Sequence, residues 1–525
     1  MSKLVSVEDA IGLIKDGDTI FVPGFTYGTP EELLIILEKK FLETGHPKDL
    51  TVAGAGAGNV RGGGWDHLAH RGLIKKIYTA YLNLTPRIQK MVLDDEVECY
   101  MVPGGIMGQI ASEIGRGGPG VITDMGLKTF IDPRLEGGKM NSISKEEMAE
   151  IIEIHGKEWL LYKTFHVDIA FVKGTTADEV GNISFEKEPG YQALLPMAIA
   201  AHNCGGKVIV QVERITVRGG INPQRVIVPG ILVDVVIVAK PENHWQTWRI
   251  QYDPARSGEV RIPSSELRRR RPPISMGKEK VVARRGLYEL EPGKVVNLGA
   301  GMSEYVSTLA LEEGIYDKIT LTVEAGMIGG IPGFGLSFNT AINPDAIIDM
   351  PYQMSLYEGG GNDITFLGFA QIDKDGNINV SKLGDRIPGV GGFLDVAPHA
   401  KKRVHCGSFT AGKSEVEIRD GKVEVVKDGK IKKFVDRVNQ VTVSGEHALE
   451  LGQPVSIITE RGVFEWTGDG FVLKEIAPGI DLERQILDKM EFEPIISDDL
   501  KEMPKEIFEE APLNLREKYP WNSKE

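Results

Sequence analysis

Cysteine is scarce in this sequence. Cys99, Cys204 and Cys406 are the only three in 525 residues, and they lie far apart. Their odd number and wide spacing argue against a disulfide framework and against a cysteine-based zinc site. We therefore expect a cytoplasmic protein with reduced thiols and without a metal centre.

Long apolar runs and positive charge are also in short supply. Residues 325–344 carry no charged side chain, but their glycines and Pro332 indicate a loop rather than a membrane helix. No basic segment followed by an apolar core marks a secretion signal. The net charge is −14, from 61 Lys+Arg against 75 Asp+Glu, whereas a nucleic-acid binder needs a basic surface. We expect neither a membrane nor a nucleic acid as a partner.

Glycine, by contrast, is in excess. The chain holds 62 glycines, about 12% of its residues, where roughly 7% is usual. Hydrophobic residues at 41% and charged residues at 26% are typical of a globular chain with a large core. Because the sequence is not of low complexity, we interpret the glycines as tight turns or close approaches of the backbone to a ligand.

Short β-branched runs alternate with helical segments along the chain. Residues 18–22, 50–52, 207–212 and 233–238 are strand candidates, and residues 30–40 form a candidate helix. This alternation predicts an α/β fold in which helices cover parallel strands.

An internal repeat divides the chain. Three segments recur in the same order and at similar spacing, namely 18–24 with 294–299, 50–56 with 321–326, and 177–184 with 373–379. We therefore predict two related domains, at 1–252 and 277–525, joined by a linker at 253–276. The linker contains the run Arg268–Arg271, which we interpret first as a solvated segment. A subunit interface and a contact with ligand phosphates are the alternatives.

The two copies differ at the end of one strand. The first copy has Ala53 after Thr51 and Val52, where the second has Glu324. Ligands of open α/β sheets bind outside the carboxyl ends of the strands, so a carboxylate there is a candidate nucleophile. An exposed or salt-bridged carboxylate is the alternative. Two glycine-rich segments lie downstream, at residues 359–363 and 388–393. They either donate backbone N–H groups to an oxyanion or form ordinary tight turns.

Several motifs together resemble one known family. In chain order they are 129–141, 174–184, 323–332, 357–363, 366–371, 376–382 and 389–393. Over nearly the whole chain they are similar to family I CoA-transferases, and most of all to the single-chain propionate/acetate CoA-transferase branch. The resemblance implies an α/β fold of two related CoA-transferase-type domains with parallel-rich sheets, and an active site in the cleft between them.

The resemblance also implies roles for individual residues. Glu324 is the expected nucleophile, which forms a covalent intermediate with the acyl-CoA carbonyl carbon. The Gln109 side chain and the Gly392 backbone N–H are the expected oxyanion donors.

Three further glycines are expected near coenzyme A. They are Gly391 and the pair Gly299 and Gly301, which follow a strand and precede a helix. Plain strand-to-helix punctuation is the alternative for the pair. Coenzyme A is then a substrate, and no cofactor is bound permanently.

The branch that the sequence resembles indicates the reaction. We expect CoA to move between short-chain acids such as acetate, propionate or butyrate, by a ping-pong mechanism through a glutamyl-CoA thioester. An acyl-CoA hydrolase that uses the same Glu324 is the alternative, and a non-catalytic regulator of the same fold that binds a nucleotide or CoA is a more distant one. Two-subunit relatives commonly have Asn-Gly after the nucleophile, where this chain has Ala325-Gly326, which leaves the preferred acid open. We also expect a homo-oligomer, with a tetramer as the working assumption.

Other signatures are weak. Residues 54–59 and 299–304 do not spell the dinucleotide-binding pattern G-x-G-x-x-G, and residues 412–414 lack the spacing of a P-loop. His67 and His70 have the spacing of a helical metal pair, but no cluster of further ligands accompanies them. We expect these histidines to lie on a helix surface.

Overall fold

The computed structural model describes residues 3–56, 58–59, 62–518 and 520–521. Its first large sheet has seven parallel strands. From one edge to the other they are Val235–Val238, Lys207–Val212, Ile169–Lys173, Thr19–Phe21, Leu50–Gly54, Ile74–Thr79 and Glu98–Met101. Residues 3–252 are called the first half below, and residues 277–521 the second half.

The second large sheet has ten strands. In order across the sheet they are Ala346–Ile347, Met327–Ile328, Thr320–Val323, Val295–Leu298, Ile364–Leu367, Lys402–Cys406, Val455–Ile458, Gly462–Trp466, Phe471–Ile476 and Ile495–Glu502. The five from Thr320–Val323 to Val455–Ile458 are parallel to one another. Antiparallel strands extend the sheet on both sides of these five.

The parallel strands of the two sheets have the same order. Thr19–Phe21 and Leu50–Gly54 occupy the places in the first sheet that Val295–Leu298 and Thr320–Val323 occupy in the second. The repeated segments of the sequence therefore form equivalent strands. The predicted α/β class with parallel-rich sheets is confirmed, whereas the domain boundaries stay a prediction.

A repeated turn shows the same equivalence at atomic detail. Asp178 Oδ1 accepts the backbone N–H of Asn182 at 2.9 Å, and its Oδ2 accepts the Asn182 amide at 3.0 Å. Asp373 makes the same two bonds with Asn377, at 2.9 and 3.2 Å. An Asp side chain that closes a tight turn on backbone N–H groups explains why this part of the repeat is retained in both halves.

Smaller sheets and twelve α-helices among the described residues complete the fold. The small sheets comprise Thr176–Asp178, Ile183–Ser184, Arg214–Thr216 and Val226–Val228; Gly120–Thr123, Ala149–Ile154 and Lys157–Lys163; Gln371–Asp373, Ile378–Asn379 and Phe434–Val435; and the pairs Gly58–Asn59 with Gly63–Gly64, Ile331–Pro332 with Ala341–Ile342, Thr410–Ala411 with Ile431–Lys432, and Glu415–Arg419 with Lys422–Lys427. The helices are Val7–Ile11, Glu31–Thr44, Pro86–Leu93, Gly104–Arg116, Leu194–Asn203, Ser264–Arg270, Lys278–Leu287, Glu304–Glu312, Met350–Glu358, Phe393–Val396, Gly445–Glu450 and Leu482–Gln485.

Helix Gly104–Arg116 of the first half carries much of the contact with the second half. It has glycine at three of its first five positions, so helix Met350–Glu358 packs closely against it. A Cβ atom on Gly108 would lie only 3.0 Å from that helix. In addition, Asp395 accepts the Ile106 backbone N–H at 3.2 Å, where the positive end of a helix dipole favours a carboxylate. The two halves are held face to face by these contacts.

Residues 253–276 lie against the second half. They contain the short helix Ser264–Arg270. Arg268–Arg269 is exposed, as expected for a solvated segment. Arg271 instead turns inward and lies 5.4 Å from the centre of the Phe334 ring, and burial lowers the pKa of its guanidinium to about 10. The end of the arginine run is therefore a packing element.

Candidate active site

Glu324 stands directly after strand Thr320–Val323, at the strand end that the comparison of the repeats singles out. Strand Val295–Leu298 runs parallel beside it, so the turn that follows that strand lies at the same edge of the sheet. Glu324 is half-buried and faces a cavity between the two halves.

The walls of this cavity are mostly apolar. The first half contributes Pro23, Gly24, Phe25, Ala55, Ala80, Gly104, Met107, Gln192 and Met197, and the second half contributes Ala325, Asn339, Met350, Met354, Gly391 and Gly392 beside Glu324. All of these except Glu324 are uncharged. The free space is about 40 Å³, where one water needs roughly 10–15 Å³ on the same measure.

The environment changes the acidity of Glu324. Burial raises the pKa of its carboxyl group to about 7, and a hydrogen bond from the Asn339 side chain opposes this rise. Removal from water disfavours a charge, and a donor to the carboxylate favours it. A carboxylate with a pKa this high is more basic than an ordinary one, which suits a nucleophile that works near neutral pH.

Gly392 touches the carboxylate. A Cβ atom on Gly392 would lie 2.1 Å from Glu324 Oε2, so any side chain there would displace the carboxylate. The φ angle of Gly392 is −90°, which other residues adopt readily. Space, not backbone strain, therefore requires glycine at this position.

Backbone hydrogen bonds to the first half hold the loop that carries Gly392. The N–H groups of Val390 and Gly391 both donate to the Ala80 carbonyl at 2.8 Å, and the Gly391 carbonyl accepts the Gly104 N–H at 2.8 Å. Because these bonds join the halves next to the carboxylate, the position of Gly392 against Glu324 depends on both halves.

Gln109 is placed elsewhere. Its Nε2 donates to Glu358 Oε2 at 2.7 Å, and it is not among the described residues that line the cavity. The charge of Glu358 in turn acts on the buried carboxyl group of Asp395. Burial and then the charge of Glu358 raise the pKa of the Asp395 carboxyl well above its usual value. The role of Gln109 as an oxyanion donor stays a prediction.

The glycines expected near coenzyme A fall in two places. Gly391 lines the cavity. Gly299 and Gly301 form the turn beside Glu324, but the Gly301 N–H already donates to Glu304 Oε1 at 2.8 Å. This carboxylate occupies one of the N–H groups that a phosphate would use.

Six of the lining residues that escaped the sequence analysis carry an amide or a thioether. They are the two amides Gln192 and Asn339 and the four methionines Met107, Met197, Met350 and Met354. A usable signal existed for Met350 and Met354, which are four residues apart and so share a helix face. Gln192 and Asn339 have φ angles of 52° and 63° in loops, where no periodicity reveals which way a side chain points.

The histidine pair is engaged by carboxylates. His67 Nδ1 lies 2.5 Å and His70 Nε2 lies 2.6 Å from the Glu38 carboxylate, and His67 Nε2 lies 3.2 Å from Glu31. Within the described residues, no group of three or more His, Cys, Asp or Glu side chains is placed to hold a metal ion.

Cys406 is poorly suited to act as a nucleophile. Burial raises the pKa of its thiol, which disfavours the nucleophilic thiolate.

None of the described helices has the length and apolarity that spanning a membrane requires.

Comparison with known proteins agrees with this geometry. Residues 4–239 match the family model for coenzyme A transferase. The chain is 44% identical over 518 residues to the caffeate CoA-transferase of Acetobacterium woodii, and this alignment covers 97% of this chain and 98% of the relative. It is 38% identical over 513 residues to the acetate CoA-transferase YdiF of Escherichia coli K12, and this alignment covers 97% of this chain and 96% of the relative.

Solved structures give the same result. The apoenzyme of the acyl-CoA transferase YdiF from E. coli O157:H7 matches with a TM-score of 0.92 at 37% identity, and the match covers 98% of this chain and 97% of that one. A thioester complex of YdiF with CoA matches with a TM-score of 0.91.

Two repeated α/β halves enclose a cavity whose described lining residues include one carboxylate, that of Glu324. Together with the full-length similarities, this arrangement defines a transferase that acts on acyl-CoA. The chain belongs to the coenzyme A transferase family. It is a CoA-transferase, and the resemblance to family I is confirmed.

Proposed function

We propose that this CoA-transferase exchanges CoA between short-chain acyl-CoA and a short-chain carboxylic acid through a glutamyl-CoA thioester on Glu324. One observation carries the proposal. Among the described residues that line this mostly apolar cavity, which both halves build, Glu324 is the one charged group, and Gly392 lies against it. The crystallised thioester complex of the relative YdiF with CoA supports the same chemistry.

The proposed reaction is a balanced sequence of acyl substitutions. A Glu324 oxygen attacks the acyl carbonyl carbon, the carbon–sulfur bond breaks, and CoA leaves as a thiolate from a mixed anhydride. The thiolate then attacks the glutamyl carbonyl carbon and expels the first acid as a carboxylate. A second carboxylate reverses both steps and leaves as acyl-CoA. Dividing a difficult exchange into activated intermediates is the usual benefit of covalent catalysis.

Negative charge on the attacked carbonyl oxygen needs donors. The Gly392 N–H is suitably placed, because the glycine lies against the Glu324 carboxylate. A preorganised donor of this kind typically lowers a barrier by about 2.7–4 kcal/mol. The apolar walls around it exclude water, which strengthens the hydrogen bond and disfavours the rival hydrolase reaction.

The cavity also suggests the class of acid. Its free space of about 40 Å³ suits a small acyl group, and its apolar walls suit an unsubstituted chain. Since no lysine, arginine or histidine is among its described lining residues, a second carboxylate on the substrate would be buried without a cation, which is costly. Short monocarboxylic acids such as acetate, propionate or butyrate meet these requirements.

The thioester provides a direct test. After incubation with acetyl-CoA alone, treatment with borohydride or hydroxylamine should modify Glu324, as mapped by mass spectrometry of the peptide. Glu324→Gln removes the nucleophile and should lower transferase activity by about 10⁴-fold or more. The exposed carboxylate variant Glu291→Gln is the matched control and should keep full activity.

The contrary results are equally clear. If Glu324→Gln transfers CoA at a near-native rate, Glu324 is not the nucleophile. If the enzyme releases CoA equally fast with and without an acceptor acid, the reaction is hydrolysis.

A further inference from the structure

The side chain of Gln192 lies in the wall of the Glu324 cavity, on the side of the first half. The residue is only 7% exposed. Gln192 and Ala193 have φ angles of 52° and 59°, and helix Leu194–Asn203 follows at once. Two successive non-glycine residues in the left-handed region are unfavourable unless the surroundings hold them there. The backbone conformation at Gln192 and Ala193 is therefore unfavourable in free energy by itself, and contacts with the surroundings must stabilise it.

A contact with the second half fixes this bend. The Ala193 N–H donates to Asp349 Oδ1 at 2.7 Å. The same oxygen accepts the Met350 N–H at 2.8 Å, at the start of the helix that supplies Met350 and Met354 to the cavity. Gln192 is thus held in register with the opposite wall, as a group that contacts substrate must be.

Two buried polar atoms meet at this place without being satisfied. Gln192 Oε1 and the Tyr27 hydroxyl have no hydrogen-bond partner within the part of the chain that the structure describes. The two side chains are close enough to interact. A Cβ atom on Gly28 would lie 2.3 Å from Gln192 Oε1, and one on Gly190 would lie 2.4 Å from the Tyr27 hydroxyl. Both glycines make room for polar groups that cost about 1–3 kcal/mol each when unpaired.

A hydrogen bond between these two atoms would satisfy both. The terminal torsion of a glutamine is soft, so its carboxamide can turn until Oε1 accepts a hydrogen bond from the Tyr27 hydroxyl. The Nε2 group of Gln192 is then free to donate into the cavity. Gln109 is engaged instead, since its Nε2 already donates to Glu358 at 2.7 Å.

We propose that Gln192 supplies the side-chain amide that donates to the reacting acyl oxygen, opposite the Gly392 N–H, and that Tyr27 orients this amide. The proposal rests on the proposed function, because it concerns the same reaction at Glu324. Gln192 contacts substrate and is a catalytic residue, whereas Tyr27 acts through Gln192 and is a positioning residue.

The test follows the formation of the Glu324 adduct. Gln192→Met keeps the length of the side chain and removes the amide, and the exposed Gln224→Met is its matched control. With acetyl-CoA, rapid quenching and mass spectrometry should show adduct formation slowed about 10²–10³-fold in Gln192→Met and unchanged in Gln224→Met. The expected loss is in kcat, with KM for acetyl-CoA changed less than about threefold. Tyr27→Phe should lose about 3- to 10-fold in kcat only while Gln192 is present, which a merely structural tyrosine would not show.

The outcomes distinguish a failure of the proposed function from a failure of the Gln192 assignment alone. If the wild-type enzyme forms no adduct at Glu324, the proposed function itself fails. If it does form the adduct and folded Gln192→Met reacts at the wild-type rate, the assignment of Gln192 alone is overturned. A larger loss in Gln109→Met than in Gln192→Met overturns it as well. Should thermal melting show that Gln192→Met is unfolded, Gln192→Asn withdraws the amide by one methylene and is expected to show the same loss in kcat.

Discussion

The two halves of the chain share a strand order, yet they differ at the end of one pair of equivalent strands. In the first half, strand Leu50–Gly54 has the fully buried Ala53 as its next-to-last residue. In the second half, the equivalent strand Thr320–Val323 is followed by the half-buried Glu324. The first half supplies apolar side chains and an amide to the cavity in place of a second acid. Among the described lining residues, the charged group therefore comes from the second half, whereas both halves supply the apolar walls around it.

We expect the largest effect from disturbing the contact of Gly392 with Glu324, in the loop that the first half holds in place. In Gly392→Ala, the new methyl group would fall 2.1 Å from Glu324 Oε2, so the carboxylate must move. We expect a loss of about 10²–10³-fold in kcat with little change in melting temperature, because the backbone angle suits alanine. Gly277→Ala is the control, since its methyl group would meet only Glu279 at 3.6 Å. Steady-state kinetics of both variants checks this, and near-native kcat in Gly392→Ala would contradict it.

The acidity of Glu324 sharpens the comparison, because burial by both halves raises its pKa to about 7 from a usual 4.5. In the proposed reaction the ionised carboxylate is the nucleophile, so the rate of adduct formation should fall about tenfold for each pH unit below 7. The free energy of unfolding should change with pH in the opposite direction to the rate. The folded protein holds this proton more tightly than the unfolded chain, so the stability it provides below pH 4.5 is lost as the pH rises through about 7.

Glu324→Gln separates the two effects. The variant should be more stable than the wild type at pH 8 and nearly equal to it at pH 4.5, as measured by denaturant unfolding. Equal stability differences at both pH values would show that the carboxyl group has an ordinary pKa.

Sequence reasoning reached the parts of the site that the repeat exposes. The position of Glu324 at a strand end followed from aligning two copies of one pattern, and the glycine-rich loop with Gly392 followed from the family motifs. Gln109 was harder to place. On helix Gly104–Arg116, residues 104 and 107 line the cavity, and at 100° per residue Gln109 lies about 140° around the helix from Gly104. Helical geometry alone therefore points Gln109 away from the wall.

The sequence pattern could not identify the two amide side chains of the cavity wall. Gln192 and Asn339 sit in loops with left-handed φ angles, where the direction of a side chain depends on contacts distant in sequence. The bond from Ala193 to Asp349, for example, spans 156 residues. Such contacts exist only after both halves have folded against each other.

A smaller effect should reveal which half limits the size of the acid. Met354 of the second half lies beside Gly392, with its Cε 3.0 Å from a Cβ placed there. Met354→Ala should enlarge the acyl site and raise the preference for butyrate over acetate, measured as a ratio of kcat/KM, by about tenfold. A stability loss of about 2–5 kcal/mol should accompany it.

The matched control is Met490→Ala, which removes an equally buried methionine from a separate part of the core. It should cost comparable stability without changing the preference between acids. An unchanged preference in folded Met354→Ala would place the acyl chain against another wall.

The smallest expected effect concerns the turn that both halves repeat. Burial would raise the pKa of Asp178, but hydrogen bonds from Asn182, Gly219 and Val180 outweigh it and lower the pKa. In Asp373, burial dominates similar hydrogen bonds and raises the pKa. The charge therefore stabilises the first turn above the unfolded pKa of about 3.9 and opposes folding in the second. Asp178→Asn should cost about 1–2 kcal/mol at pH 7, and Asp373→Asn should cost less. Denaturant unfolding of the two variants at pH 7 checks this, and equal losses would mean that the two copies of the turn are energetically as well as geometrically alike.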